Sequence, residues 1–331
     1  MEKLVSIAIV NWNGEKYLYK CIKSLLNQNY KNIEIIIIDN DSSDKSIKII
    51  EENFINDIIL VRNKNTGYAG GANKGIEVSK GEYIIIANPD IVFGENYIVN
   101  CINKFKEDTT IGAITGKLLK YDFETDKKLN VIDSVGIGLN HYRQGIDIGQ
   151  NEVDDGKYDI DRRVFGVCGA AAVFTREALD SIKINNEYFD NDFFAYKEDI
   201  DICWRLNLYG YKCYYVHDAI AYHGRGMNSS KGFINTIRNR KSQSDFLKGI
   251  SFRNHYLMLI KNEMNDSFNK DKMKIYIGFI KYIAFFALFD WKCLKYIKEI
   301  EEKKQLMKIK RKEILKNVNI SNEAIYRLFD L

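Results

Sequence analysis

Four short runs in the first 120 residues, 4–10, 33–38, 58–61 and 83–87, are apolar apart from Ser6 and Glu34 and rich in β-branched residues. Each is followed by a stretch of helical periodicity, at 15–28, 44–53, 69–79 and 95–106. Leu18, Ile22, Leu25 and Leu26 mark the apolar face of the first. A strand with one wet face alternates polar and apolar residues, whereas a strand that is apolar throughout is covered on both faces. Helices between such strands make parallel crossovers. The pattern therefore predicts a doubly wound, mostly parallel α/β sheet whose ligands bind at the carboxyl ends of the strands. Residues 121–162 are rich in Asp, Gly and Asn and weakly periodic, which reads as an excursion or flap. Strand character returns at 166–174, a helix is expected at 198–209, and a strand at 212–216. From about residue 233 the pattern is helical and basic, which divides the chain into an α/β body, 1–230, and a helical extension, 231–331.

Charge follows the same division. Residues 231–331 carry 22 Lys and Arg against 11 Asp and Glu, and residues 1–230 carry 27 against 34. A basic segment on an acidic body suits an anionic lipid surface, a nucleic acid or an anionic substrate. No nucleic-acid-binding motif accompanies the charge, so nucleic acid is not expected as a partner. The cationic helices are equally compatible with a homo-oligomer interface. Six cysteines without a CxxC pair argue against a zinc site or a disulfide framework and fit a reducing cytoplasm. Strand-like sequence begins within four residues of the start, so no secretory leader is expected. The longest apolar run, 275–289, is interrupted by Lys281 and falls short of the roughly 20 residues a spanning helix needs.

Chemistry-bearing residues cluster at the predicted strand ends. The second strand leads into Ile38-Asp39-Asn40-Asp41-Ser42-Ser43-Asp44. An aspartate leaving a buried strand can accept from a nucleobase or ribose hydroxyl, and Asp41, Ser42 or Ser43 can cap the following helix. Asn65-Thr66-Gly67-Tyr68-Ala69-Gly70-Gly71-Ala72-Asn73-Lys74-Gly75 is neither a GxGxxG nor a P-loop sequence. Its small residues let backbone amides approach an anion at a helix start, although tight helix–sheet packing explains a glycine or two as well. The only proline in the chain stands in Asn88-Pro89-Asp90, where Asp90 can hold a hard divalent cation or simply complete a turn. Glu198, Asp199 and Asp201 form an acidic cluster among Phe193, Phe194, Tyr196 and Trp204, and Asp201 and Arg205 are spaced for an ion pair on one helix face. A carboxylate desolvated there has a raised pKa, as a general base requires. His223, between Tyr222 and Gly224-Arg225, is by itself more often structural than a ligand.

In order and spacing these segments resemble the family-two glycosyltransferases of GT-A fold, most closely the bacterial rhamnosyltransferase-like branch. The resemblance runs from Val5-Ser6-Ile7-Ala8-Ile9-Val10-Asn11-Trp12-Asn13-Gly14 to His223. It implies a catalytic domain over 1–230 that transfers a sugar with inversion from dTDP-rhamnose or a UDP-hexose to a hydroxyl of a glycan or lipid-linked acceptor in bacterial cell-surface polysaccharide synthesis. It places substrate contacts at Asn11, Asn13, Asp39, Asp41, Asn65, Gly67, Gly71, Asn73, Asn88, Asp201, Trp204 and Arg205. It makes Asp199 the catalytic base with Glu198 beside it, and gives Mg2+ or Mn2+ to Asp90 and His223. Asn88 stands where the family's metal motif has its first acidic residue, which leaves fewer anionic ligands. The Gln-x-x-Arg-Trp motif of processive synthases is absent, so a single addition is expected. The extension would meet the acceptor, the inner membrane surface or a second copy. The competing reading is a non-catalytic nucleotide-sugar-binding scaffold on the same fold.

Overall fold

The computed structural model describes residues 2–224 and 244–330, so the expected boundary at residue 230 and Arg225 lie outside the described residues. The chain runs β1 (Val5–Asn11), α1 (Leu18–Leu26), β2 (Ile33–Asn40), α2 (Ser46–Asn53), β3 (Ile59–Asn63), α3 (Gly67–Val78), β4 (Tyr83–Ala87), β5 (Ile91–Phe93) and α4 (Tyr97–Glu107). It continues through β6 (Ile111–Asp122), β7 (Lys127–Ser134), β8 (Ile137–Leu139), β9 (Gly145–Asp147), β10 (Arg162–Val164), β11 (Ala171–Thr175), α5 (Arg176–Ser181), α6 (Glu198–Leu208) and β12 (Lys212–His223). Four helices follow: α7 (Asp245–Asn262), α8 (Asn265–Phe289), α9 (Lys295–Lys316) and α10 (Asn322–Arg327).

The main sheet has the order β10-β12-β6-β11-β4-β1-β2-β3. Strands β4, β1, β2 and β3 are parallel, and β11 runs antiparallel between β4 and β6. All of β1 is buried. Its Val5, Ile7 and Ile9 pack with α1, α2 and α4 on one face, and its Ala8 and Val10 pack with α3, α5 and α6 on the other. That is why the strand is apolar on both faces from Ile7 to Val10. α3 lies close enough to the sheet that a Cβ on Gly75 would stand 2.6 Å from Ala8 Cβ, and one on Gly71 2.6 Å from Val10 Cγ1. These two glycines serve helix–sheet contact.

Two expectations need correction. Residues 121–162, expected as a weakly periodic excursion or flap, hold regular strands: β7 pairs antiparallel with β6, and β8 and β9 form a ribbon apart from the main sheet. The strand expected at 212–216 extends to His223, because a bulge between Val216 and Ile220 lets β12 re-register along β6.

The C-terminal helices share a core with the outer side of α6, where Ile200, Trp204 and Leu208 meet Phe252, Leu257, Phe286 and Met307. Charge joins the same surfaces. Lys261 is buried and its Nζ lies 2.6 Å from Asp190 Oδ2 and 2.9 Å from Asp201 Oδ2. Lys310 meets Asp190 Oδ1 at 2.6 Å and Asp192 Oδ2 at 2.8 Å. Part of the basic excess thus neutralises carboxylates of the body. No helix among the described residues is long and apolar enough to cross a membrane.

Candidate active site

Because β1 lies between β2 and β4, their carboxyl ends stand side by side. At the β1 and β2 ends the side chains brace one another. Asp39 Oδ1 accepts from Asn11 Nδ2 at 2.8 Å, and Asp39 Oδ2 from the Ser42 amide at 3.1 Å. Ser42 Oγ accepts from the Asn13 amide at 2.9 Å, and Asn13 Oδ1 from the Ser43 amide at 2.8 Å. Asn13 and Asp41 take left-handed backbone conformations, φ 54° and 63°, and are exposed. The first turn of α2 is met by Asp44, whose Oδ1 accepts from the Ser46 amide at 2.9 Å, rather than by Asp41, Ser42 or Ser43. Beside this loop Trp12 is 60% exposed. A tryptophan between two asparagines at the end of a buried strand is the local signal for this exposed ring.

The β4 end carries Asn88, Pro89 and Asp90, and the extension of β12 brings His223 to it. Strand pairing sets His223 opposite Ile91, and the Gly224 amide donates to the Asp90 carbonyl at 2.9 Å. His223 Nε2 stands 3.4 Å from Asp90 Oδ1, and its Nδ1 lies 2.7 Å from Asp133 Oδ2. Burial alone would hold the imidazole low, but the adjacent Asp90 and Asp133 carboxylates raise its pKa to about 9. Among the described residues no three His, Cys, Asp or Glu side chains converge as a complete metal site. What is present fits half of one. A histidine oriented by a carboxylate behind it, beside a second carboxylate, is the usual protein share for a cation completed by phosphate oxygens.

The carboxylates of α6 face a cavity of about 340 Å³, whose walls include Tyr68, Asn88, Asp147, Gly169, Glu198 and Asp199. The turn before α6 is strained: Phe194, Tyr196 and Lys197 have φ of 65°, 69° and 73°. Asn254 of α7 holds it, with Nδ2 within 2.8–2.9 Å of the carbonyls of Phe193, Ala195 and Tyr196. Asp199 is half-buried, and its Oδ1 accepts from the neighbouring Ile200 amide at 2.8 Å. Glu198 is buried, with Oε2 unpartnered among the described residues. Burial, and then the Asp199 charge, push Glu198 up to about 8, and burial raises Asp199 as well. Tyr68 donates to the Gly169 carbonyl; burial lifts its hydroxyl pKa well above normal, with the charges of Glu198, Asp199 and Asp90 adding to the rise. Burial thus raises both carboxyls, and the charge of Asp199 adds to the rise at Glu198.

A stability test follows. A carboxyl group raised on folding contributes stability that is full below its unfolded pKa and lost as pH rises through the folded value. Glu198→Gln should therefore stabilise the protein by roughly 1–3 kcal/mol at pH 9 relative to pH 5, measured by denaturant unfolding. An effect independent of pH would contradict the burial of an ionisable Glu198.

The structure brings Asn88, Glu198 and Asp199 to one cavity, Asp90 and His223 to its β4 side, and Asn11, Asn13, Asp39 and Asp41 to the neighbouring strand ends. It does not bring the remaining expected contacts there. Asp201 and Arg205 are buried, paired with each other and with Lys261 or with the carbonyl of Ile182, and Trp204 is enclosed between Phe165 and Phe329. Asp201 and Trp204 face the C-terminal helices, and Arg205 reaches the carbonyls of Ile182 and Tyr188. Asn65 accepts from the Gly67 amide at 3.0 Å, closing the turn into α3. Gly67, at φ 75°, has no room for a Cβ beside Phe194, and Gly71 packs on the sheet. Asn73 clamps the 188–191 turn through the amides of Tyr188 and Phe189 and the Phe189 carbonyl at 2.7–3.0 Å.

Strand-end carboxylates, a histidine between two carboxylates and a cavity lined by a pair of carboxyls thus stand together on a mixed α/β sheet. The chain belongs to glycosyl transferase family 2, whose profile matches residues 6–183, over half of its length. A second profile, glycosyl transferase family group 2, matches residues 156–243. The chain is 35% identical over 125 residues to glycosyltransferase GlyG of Streptococcus pneumoniae serotype 4, covering 37% of this chain and 41% of that protein. It is 33% identical over 122 residues to UDP-Glc:alpha-D-GlcNAc-diphosphoundecaprenol beta-1,3-glucosyltransferase WfaP of Escherichia coli, covering 37% of this chain and 49% of that one. These matches span less than half of the relatives' own lengths. The fold is the GT-A fold. Mannosyltransferase PcManGT from Pyrobaculum calidifontis, in complex with GDP-Man and Mn2+, aligns with a TM-score of 0.53 at 13% identity, over 100% of this chain and 88% of that one. Residues 1–349 of S. aureus TarS align with a TM-score of 0.53 at 12% identity, over 98% and 90%.

Proposed function

We propose that the chain is an inverting glycosyltransferase of bacterial cell-surface polysaccharide synthesis, within the rhamnosyltransferase-like branch. It takes the sugar of dTDP-rhamnose or a UDP-hexose to a hydroxyl of a glycan or lipid-linked acceptor, at the cytoplasmic face of the membrane. The observation that carries this reading is that the carboxyls of Glu198 and Asp199 line the same cavity as Asn88. Asp199 accepts the proton of the acceptor hydroxyl as its oxygen bonds to the anomeric carbon. The bond from that carbon to the diphosphate breaks on the opposite side, and the nucleoside diphosphate leaves with its electron pair. Asp90 and His223 would hold Mg2+ or Mn2+, which when bound neutralises charge on the leaving diphosphate. Asn11, Asn13, Asp39 and Asp41, with Trp12, receive the nucleoside. The body, 1–230, is the catalytic domain, and the helices from 231 onward shape the acceptor side. The names of WfaP, which carries a diphosphoundecaprenol acceptor, and of PcManGT, bound to a nucleotide-sugar with Mn2+, support this reading.

Thermal unfolding against dTDP-, UDP- and GDP-sugars, with Mn2+ or EDTA, tests it. A ligand that binds only the folded state stabilises it by about 2.7 kcal/mol at a hundredfold excess over Kd. One nucleotide should raise the melting point with Mn2+, less with EDTA, and Asp90→Asn should remove the metal-dependent part. No shift with any donor would overturn the reading.

A further inference from the structure

α8 is apolar on two opposite sides. Ile275, Phe279, Tyr282 and Phe286 pack into the core shared with α7 and α9. The opposite side carries Met273, Tyr276, Ile277, Ile280 and Leu288, between 42% and 75% exposed, and Trp291 follows at 71%. Counted from Met273, their spacing of three, four, seven and fifteen residues places them on one stripe. Exposed lysines edge it: Lys272, Lys274, Lys281, Lys292 and Lys295. A helix that is apolar all round is either enclosed by protein or set in lipid, and nothing of the described chain covers this side.

A path leads from the stripe to the carboxylates. A cleft of about 210 Å³ shares Gly145 and Lys197 with the active-site cavity and is walled by Lys248, His255, Tyr282 and Phe286. A second, of about 430 Å³, shares Gln144 and Tyr282 with the first and ends at Gly278 and Lys281 on α8. Lys197 and Lys281 have no ion-pair partner among the described residues. The path is aromatic along its walls and cationic at both ends.

We propose that the outward stripe of α8 lies in the headgroup layer of an anionic bilayer, and that the two clefts admit an amphiphilic acceptor with a phosphate between its apolar chain and its sugar. The acceptor half rests on the transferase reading above; the lipid-surface half does not. Charge selects lipid over a second copy of the chain. Two such stripes packed together by a two-fold axis would oppose lysine to lysine, whereas lipid phosphates neutralise them. The stripe from residue 273 to 288 is about 22 Å long at 1.5 Å per residue, long enough to lie in the interface and too short to span it.

Flotation of the full chain with phosphatidylglycerol vesicles and with phosphatidylcholine vesicles tests the surface. The wild type should float with the anionic vesicles at low salt and not with the zwitterionic ones, and the double variant Ile280→Glu/Leu288→Glu should bind roughly tenfold or more weakly. The double variant should keep the donor-dependent melting shift, which shows that it is folded. Equal flotation of variant and wild type overturns the surface, as does a wild-type dimer in size-exclusion chromatography that the variant abolishes without any flotation. Farnesyl diphosphate tests the path: it should raise the melting point of the wild type and raise that of Lys281→Glu severalfold less. Equal shifts overturn the path. Vesicle binding without any donor shift leaves the surface standing and sinks the transferase reading alone.

Discussion

Asp199→Asn should lower turnover by about 10²–10⁴-fold, the usual share of a positioned general base, and leave donor binding intact. Asn keeps the size of Asp199 and its place above the cavity but cannot take the acceptor proton. The wild-type rate should rise with pH through a value above the ordinary aspartate range, because burial raises Asp199 and only its ionised form accepts a proton. Single-turnover assays with the donor identified by melting shift measure both. If Asp199→Asn instead abolishes the donor shift and leaves the rate per bound donor unchanged, Asp199 is a binding group.

Lys261→Met should destabilise the protein by about 3–5 kcal/mol, the range for removing one partner of a buried ion pair. Two carboxylates from different elements, Asp190 and Asp201, converge on this ammonium. Burial opposes ionisation of Asp190, but Lys261 and Lys310 hold its pKa well below the normal carboxylate range. A carboxylate lowered on folding contributes stability that is present above its unfolded pKa and lost as pH falls through the folded one. The wild type should therefore lose stability in acid, and Lys261→Met should flatten that acid limb. Urea unfolding at pH 7 and pH 3 reads both effects; a loss under about 1 kcal/mol at pH 7 would show that the network does not bind the helices to the body.

The half of the fold built from strands buried on both faces was legible in the sequence, because two-sided burial leaves only Ser6 polar between 4 and 10 and no charged residue between 83 and 87. The region 121–162 was not. β7 begins Lys127-Lys128-Leu129-Asn130 and is half exposed, so its strand state is set by β6 rather than by its own pattern. The length of β12 was hidden by the bulge after Val216. At the site, Glu198, Asp199 and Asn88 could be placed from their neighbourhood and from the resemblance. Asp201 shows the limit of that approach. Its pairing with Arg205 was visible at a spacing of four residues, but its partner Lys261 lies 60 residues further on, and only the packing of α7 on α6 makes Asp201 an anchor. Asn254, which holds the turn ahead of Asp199, gave no local signal for the same reason.

The most direct test of the central claim is the anomeric configuration of the glycosidic bond formed in the product, read by proton NMR against that of the donor. The configuration should be opposite to the donor's, with product formed by the wild type and not by Asp199→Asn. Retention of the donor's configuration, or transfer by Asp199→Asn at the wild-type rate, would overturn the assignment of Asp199 as the base of an inverting transferase.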